Sequence, residues 1–98
     1  MPMKITESTV DQILRSEDIE SLFQHDAPSD EYSHETLGIV SAISLLDQDD
    51  LTEEGLTDVV RAVWTRSFGP FLAEEVQMRM PAFRRVAHRI LTQAGSIP

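Results

Sequence analysis

The residues of this 98-residue chain that could do chemistry are mostly carboxylates, and they stand in adjacent pairs. The pairs are Asp30-Glu31, Asp49-Asp50, Glu53-Glu54 and Glu74-Glu75. General acid–base catalysis needs a carboxyl group whose pKa is raised by burial or by a close like charge. These pairs fall in predicted loops or helix starts, where water solvates both groups. The pattern therefore indicates solvated charge rather than an acid–base centre.

Residues 47–54, DQDDLTEE, begin like the D-x-D of a calcium-binding EF-hand loop. The rest of that loop does not fit. Leu51 stands at the fifth position, Thr52 stands where the turn glycine belongs, and Asp58 replaces the bidentate glutamate. A helix end followed by an acid-rich helix start accounts for every residue of this stretch.

Other cofactor and nucleophile signatures are missing from the sequence. His25, His34 and His88 do not have metal-ligand spacing on a helix, and the chain has no cysteine for a disulfide, a thiol or a zinc thiolate. Neither a G-x-S-x-G motif nor a glycine-rich phosphate loop occurs. The sequence predicts no catalytic residue, no metal and no other cofactor.

The only basic patch consists of Arg84, Arg85, His88 and Arg89, with Arg79 on the preceding turn. Arginines in this arrangement could bind phosphates, an acidic partner or the acidic half of the same chain. The region lacks lysine and a helix-turn-helix signature, which argues against nucleic acid as a partner.

The charge is distributed unequally along the chain, whose net charge is −9. Residues 1–60 hold two basic and fifteen acidic residues, a net charge of −13, whereas residues 61–98 hold six basic and two acidic residues, a net charge of +4. Two interpretations follow. Either the two ends neutralise each other within one molecule, or one of them is a docking surface.

The segment with the clearest helical signals is residues 52–69. Thr52 is a predicted N-cap, acidic residues occupy the first turn, and Gly69-Pro70 is a stop signal. Its apolar residues recur at helical spacing: Leu56, Val59, Val60, Val63, Trp64 and Phe68. We expect Trp64, Phe68 and Phe71 to be core aromatics.

Residues 33–47 form a second predicted helix, with Ser33 as its cap and Tyr32 and Leu37 as a hydrophobic staple. Its apolar surface is so wide that we expect the helix near the middle of the fold. The four-residue link DQDD predicts an antiparallel hairpin with residues 52–69.

The remaining segments are also predicted to be helical or loop. A helix begins at Thr6 or Ser8, and a second short helix capped by Ser16 follows a break, before a loop over residues 24–32. After a helix that starts at Pro70, Pro81 should stop or kink the chain near Met80 and open the last helix. The sequence predicts one all-α domain over residues 1–98, a compact bundle of four to five helices.

Neither a membrane span nor a targeting segment is predicted. The longest nearly apolar run, residues 37–46, has about half of the roughly 20 residues that a membrane-spanning helix needs. The N-terminal residues lack an apolar signal core, so the expected location is the cytoplasm.

Residues 26–35, DAPSDEYSHE, followed by Ile39, Ile43 and Ser67-Phe68-Gly69, resemble a small uncharacterised bacterial family typified by YugE. The resemblance covers residues 19–69. It departs from the family pattern in lacking a tryptophan-aspartate-proline element before the loop and in having Ser33 instead of aspartate. The resemblance implies a compact all-helical cytosolic domain without an established activity. Some relatives sit among toxin-immunity loci.

The leading hypothesis is a non-enzymatic interaction or regulatory module, immunity-like in the sense of the resemblance, whose acidic half binds a basic protein. The predicted interaction residues are Asp30, Glu31, Tyr32, Glu35, Asp49, Asp50, Glu53 and Glu54 on the acidic side, and Arg84, Arg85 and Arg89 on the basic side. One alternative is a homodimer that pairs acidic with basic ends. Another is a small enzyme that acts on a cationic metabolite through residues 30–32 and His34.

Overall fold

The computed structural model describes residues 5–19 and 32–95, and this part of the chain is all-α. Its α-helices are α1 (Glu7–Glu17), α2 (Ser33–Ser44), α3 (Glu53–Phe68) and α4 (Ala73–Gly95), with a 3₁₀ helix over Gln48–Asp50 between α2 and α3. The predicted all-α bundle is confirmed. Residues 24–31 of the predicted loop over residues 24–32, and most of the predicted second N-terminal helix, lie outside the described residues.

The helices pack in a ring in which each one contacts the next and α1 closes against α4. Tyr32, at the start of α2, stacks on Trp64 near the end of α3, with ring centroids 5.4 Å apart. The predicted antiparallel hairpin of α2 and α3 is therefore confirmed. Trp64 also contacts Phe83 of α4, at 6.4 Å between ring centroids.

The core lies inside this ring and is centred on Trp64, which is fully buried. Its buried apolar members are Val10, Ile13, Leu14, Tyr32, Ile39, Ile43, Leu56, Val60, Val63, Trp64, Phe83, Val86, Ala87 and Ile90. The predicted core role of Trp64 is confirmed. Phe68 and Phe71 are partly buried and pack against the edge of the core.

Side chains and backbone groups cap the helix ends where the sequence indicated. Thr6 accepts a hydrogen bond from the backbone N–H of Thr9 (3.2 Å), and Thr52 accepts one from that of Gly55 (3.0 Å). At the other end of α3, the N–H of Gly69 donates to the carbonyl of Thr65 (2.8 Å). The predicted start and stop of α3 are confirmed.

Helix α1 ends at Asp18, and this corrects the prediction that Ser16 caps a second helix. Ser16 lies within the last turn of α1. Asp18 has a left-handed backbone conformation (φ 43°) that aspartate tolerates, and its N–H donates to the carbonyl of Leu14 (2.9 Å). A backbone cap thereby satisfies the carbonyl of Leu14 at the end of α1.

Helix α2 differs from its prediction in both its cap and its place. Tyr32, not Ser33, is the N-cap, and it makes no side-chain capping bond. Leu37 is half exposed, so the predicted staple with the buried Tyr32 does not form. Instead of lying in the middle, α2 is one side of the ring between α1 and α3. Its apolar residues surround the helix, and only one face can meet neighbours in a ring.

The predicted polar link between α2 and α3 contains the 3₁₀ helix, which is fastened to the start of α3. The N–H of Thr52 donates to the carbonyl oxygen of Asp50 (2.9 Å). That oxygen also approaches Gly55 so closely that a Cβ atom at this position would clash with it. Gly55 therefore allows the acidic connection to fold back on the first turn of α3.

Helix α4 is continuous through Pro81, so the predicted stop does not occur and Pro81 does not open a separate last helix. Pro81 and Gln77 are both exposed, so water can solvate the Gln77 carbonyl that Pro81 leaves without a donor. The helix begins at Ala73 rather than at Pro70. Glu75 accepts a hydrogen bond from the N–H of Leu72 (2.9 Å), as in half of a capping box.

The two halves of α4 are packed differently. All buried residues of this helix lie from Phe83 onward, and residues 73–82 include none. Leu72 and Met78 leave 65% and 79% of their surface exposed. Along residues 5–19 and 32–95, every helix is too short or too polar to cross a bilayer.

Candidate functional site

A cleft of about 380 Å³ lies where the end of α1, the start of α3 and the second half of α4 meet. We call it the arginine cleft. Its lining residues are all ionisable and come from the three helices: Glu17, Glu53, Arg84, Arg85, His88 and Arg89. The cleft is a shallow depression that is widely open to solvent, and its surface is formed mainly by the carbon atoms of these side chains.

Glu17 joins two of these arginines. Its Oε1 atom accepts a hydrogen bond from Arg85 Nε (2.9 Å), and its Oε2 atom lies 3.4 Å from Arg89 Nη1. Arg85 and Arg89 are four residues apart, so they project from the same side of α4. The Glu17 side chain is only 14% exposed. This carboxylate therefore closes α1 against α4 and orients two guanidinium groups.

A second contact connects α4 to the start of α3. His88 Nδ1 lies 2.9 Å from Glu53 Oε1, and both side chains are more than half exposed. The pair is a hydrogen bond when the imidazole is neutral with the proton on Nδ1, and an ion pair when it is protonated. Glu53, predicted as part of a docking surface, belongs instead to the arginine cleft.

Arg84 is the third arginine of the cleft and differs from the other two. It is exposed, and no carboxylate in the described part of the chain forms a salt bridge with it. Three arginines and two glutamates give the cleft a net charge of +1 when His88 is neutral. In a chain whose net charge is −9, this is a local positive site.

The connection between α2 and α3 and the first turns of α3 carry the opposite charge. We call their exposed carboxylates the acidic surface: Asp47, Asp49, Asp50, Glu54 and Asp58. Asp58 pairs with Arg61 at 3.3 Å on the same helix. Among the residues that the structure describes, the other four have no salt-bridge partner. The acidic surface thus retains most of its charge.

An apolar side chain lies beside these carboxylates. Leu45 is the C-cap of α2, two residues before Asp47, and 86% of its surface is exposed. A leucine in such a position offers a partner apolar contact within a charged rim, which is the usual arrangement of a protein interface.

The structure divides the predicted interaction residues into separate places. Asp49, Asp50 and Glu54 lie on the acidic surface, while Glu53, Arg84, Arg85 and Arg89 line the arginine cleft. Asp30 and Glu31 lie outside the described residues. Tyr32 and Glu35 are buried, which is at odds with their prediction as contacts for a partner.

Tyr32 is buried because it completes the aromatic cluster of the core. Its hydroxyl group donates to Asp18 Oδ1 (2.7 Å), so the polar end of the ring is satisfied without reaching solvent. His34, which the alternative of a small enzyme grouped with Tyr32, is exposed. The two side chains therefore do not share a cleft.

Glu35 occupies the buried face of α2 beside Thr36 and Ile39. It is 5% exposed, and its buried Oε1 atom has no hydrogen-bond partner among the residues that the structure describes. Its burial follows from its place on the α2 face that packs against the neighbouring helices, a placement that residue type does not reveal.

Sequence reasoning missed Glu17 and Leu45. The i, i+4 spacing of Arg85 and Arg89 is a signal that one carboxylate could bind both, but it does not say which of the many acidic residues does so. The exposure of Leu45 had no sequence signal, since it belongs to the apolar run of residues 37–46, in a helix that was expected near the middle of the fold.

The described residues include no group of three or more histidine, cysteine, aspartate or glutamate side chains arranged to hold a metal ion. The fold and the two charged regions thus define a small helical protein with an arginine-lined cleft and an exposed acidic surface. Comparison with protein-family models, with curated proteins and with solved structures gave no match. The resemblance to the YugE family stays a prediction.

Proposed function

We propose that this protein is a cytosolic, non-enzymatic interaction module that binds a basic protein through its acidic surface. The observation that carries the proposal is the cluster of four exposed carboxylates without basic partners, Asp47, Asp49, Asp50 and Glu54, beside the exposed Leu45. A regulatory or immunity-like protein that covers a basic target would act in this way.

Electrostatics supports a role in association. Exposed charges of one sign create a strong electrostatic potential at a surface. This potential raises the association rate constant of an oppositely charged protein. Three of the four carboxylates lie on a connection that is held to α3 by the contacts of Asp50 with Thr52 and Gly55, and Glu54 lies in the first turn of α3 itself. A connection held in this way presents the charges in a defined arrangement.

The test starts with a pull-down from a lysate of the source organism at low and at high salt, with mass spectrometry of the bound proteins. We expect one basic protein that high salt releases. The association rate constant of that protein is then measured against ionic strength. Binding that does not change with salt concentration would contradict the proposal, because added salt screens the attraction between exposed charges.

A pair of variants tests the surface itself. Asp49→Asn with Asp50→Asn removes two charges from the acidic surface, whereas Glu7→Gln with Glu74→Gln removes two exposed charges elsewhere. We expect the first variant to lower the association rate constant about tenfold at low salt and the second to change it little. Equal effects would mean that net charge, not this surface, attracts the partner.

A second candidate function is self-association, and the first half of α4 favours it. Leu72 and Met78 are exposed, and no residue of the described positions 73–82 is buried. Such a face, together with oppositely charged surfaces, suits a contact between two copies of the chain. Sedimentation that shows only monomer at high protein concentration and low salt would eliminate this candidate.

A further inference from the structure

We propose that the second half of α2 and the acidic surface together bind one amphipathic helix of the basic partner, a helix with an apolar face and with lysines or arginines at one end. This inference rests on the proposed function and adds the kind of segment that the partner presents. The exposed side chains of α2 that carry it are called the outer face: Leu37, Ser41, Ser44 and Leu45.

The outer face is continuous and uncharged. Leu37, Ser41 and Leu45 are spaced four residues apart, and Ser44 lies one turn after Ser41, so all of them project from one side of the helix. Residues 36–46 contain no ionisable side chain. Leu37 and Leu45 leave 49% and 86% of their surface exposed. The described part of the chain thus leaves both leucines uncovered.

Polar groups at the end of the outer face already have partners within α2. The Ser44 hydroxyl donates to the Ser41 carbonyl (2.6 Å), and the N–H of Leu45 donates to the Ala42 carbonyl (3.1 Å). A helix carbonyl without a donor needs water, and covering it with an apolar partner is unfavourable. These two carbonyls do not carry that penalty, so an apolar side chain can cover them.

Charge indicates where the cations of the partner lie. The last turn of α2 has no basic residue that would offset the negative end of the helix dipole. Asp47, Asp49 and Asp50 follow, all exposed and without a salt bridge to any residue that the structure describes. Both features favour cations beside Leu45, whereas the outer face favours apolar side chains. A complementary segment is therefore apolar along its side and basic at one end.

The dimensions of the outer face favour a helix as this segment. Leu37 and Leu45 are eight residues apart, which corresponds to about 12 Å along the axis of α2. The two serines between them are small, so a large side chain of a second helix can pack between the leucines. Apolar residues repeated every three or four positions on that helix would contact both leucines.

A second copy of this chain is a poorer occupant of the outer face. Its basic patch lies on the second half of α4, where most apolar residues are buried in the core. Its exposed Leu72 and Met78 lie at the other end of α4, near Glu74 and Glu75, which the acidic surface repels. Neither half of α4 therefore combines exposed apolar side chains with an excess of exposed cations.

The test titrates the full chain, labelled with ¹⁵N, with three synthetic peptides and follows the amide signals by NMR. The first peptide is a helix of about 20 residues with leucines on one face and lysines at one end. The second has the same composition in scrambled order, and the third is oligolysine. We expect only the first to shift the signals of the outer face, and all three to shift those of the acidic surface. Outer-face shifts that the scrambled peptide reproduces, or their absence with the first peptide, would overturn the inference.

Oligolysine separates this inference from the proposed function. If oligolysine shifts the acidic surface while the amphipathic peptide leaves the outer face unchanged, the inference fails and the proposed function stands. If oligolysine does not shift the acidic surface, the result counts against the proposed function itself.

Matched leucine variants locate the contact. Leu45→Gln changes the more exposed leucine of the outer face, and Leu72→Gln changes an exposed leucine outside it. We expect Leu45→Gln to weaken binding of the amphipathic peptide about tenfold, as for a leucine that becomes buried on binding, and Leu72→Gln to leave it unchanged. Both variants should keep the unfolding temperature of the unsubstituted protein. Equal affinities, or a lower unfolding temperature for Leu45→Gln alone, would refute the assignment.

Sedimentation of the chain without peptide tests the other occupant. We expect Leu45→Gln to leave the sedimentation coefficient unchanged. A dimer that Leu45→Gln dissociates would assign the outer face to a second copy and overturn the inference.

Discussion

The carboxylates of the arginine cleft and those of the acidic surface are the same chemical groups in two different situations. Glu17 is largely buried and contacts two arginines of α4, whereas Asp49 and Asp50 are exposed and pair with no cation in the described part of the chain. The first kind of charge holds helices together. The second kind remains available to another molecule.

This difference also answers how the unequal charge of the two chain halves is used. Part of the acidic half does neutralise the basic half within one molecule, through Glu17 with two arginines and through Glu53 with His88. Among the described residues of the acidic surface, only Asp58 takes part in that neutralisation, through Arg61. The first interpretation of the charge pattern therefore holds for part of the acidic half, and the second stays a proposal.

The largest expected effect concerns Tyr32, which was grouped with the acidic docking residues but lies in the core. Tyr32→Ala removes a fully buried ring that stacks on Trp64 and should cost about 3–5 kcal/mol of unfolding free energy. Tyr32→Phe keeps the ring and removes only the hydrogen bond to Asp18, so it should cost about 1–2 kcal/mol. Urea denaturation followed by tryptophan fluorescence or circular dichroism measures both.

The conservative variant is the control for packing, since the two changes share one position. If Tyr32 contacted a partner rather than the core, Tyr32→Ala would leave the denaturation midpoint almost unchanged. That outcome would mean that Tyr32 is available to a partner and does not stabilise the fold.

The sequence was a good guide wherever a local contact decides the structure. Thr52 caps α3 because its hydroxyl reaches an amide three residues later, and Gly69 ends the same helix because Pro70 follows it. The antiparallel α2 and α3 hairpin follows from the short link between two helices. Each of these features depends on residues that are close in sequence.

The sequence was a poor guide where distant residues decide. Pro81 does not end α4, because its turn is exposed to water. Tyr32 is buried because its ring completes a cluster with Trp64 and Phe83. The contact between Glu17 and Arg85 spans 68 positions. The arginine cleft could therefore be predicted only as a basic face, without its carboxylates and without its shape.

An intermediate effect is expected where the cleft holds α1 to α4. Glu17→Gln removes the charge that Arg85 and Arg89 share and should lower the free energy of unfolding by about 1 kcal/mol, because this carboxylate is mostly shielded from water. Asp58→Asn breaks an exposed pair with Arg61 and should cost only about 0.3 kcal/mol. Denaturation curves at low salt give both values.

Salt sharpens this second prediction. The pair of Asp58 and Arg61 is exposed and should lose its small contribution at high ionic strength, whereas much of the Glu17 contribution should remain. Equal costs for the two variants would show that Glu17 behaves as an ordinary surface charge. Glu17 would then not differ from the carboxylates of the acidic surface in its contribution to stability.

The smallest effect on stability is expected on the acidic surface, where Asp49→Asn with Asp50→Asn removes two neighbouring charges. Neither side chain forms a salt bridge in the described part of the chain, so no favourable contact is lost and some like-charge repulsion is relieved. We expect the unfolding free energy to stay within about 0.5 kcal/mol of the unsubstituted protein, or to rise slightly.

The same variant should slow the capture of a basic partner. If the free energy of unfolding is unchanged and the association rate constant falls, these carboxylates contribute to binding and not to folding. A loss of more than about 1 kcal/mol would instead place them among the groups that hold the connection in shape, together with Gly55 and Thr52.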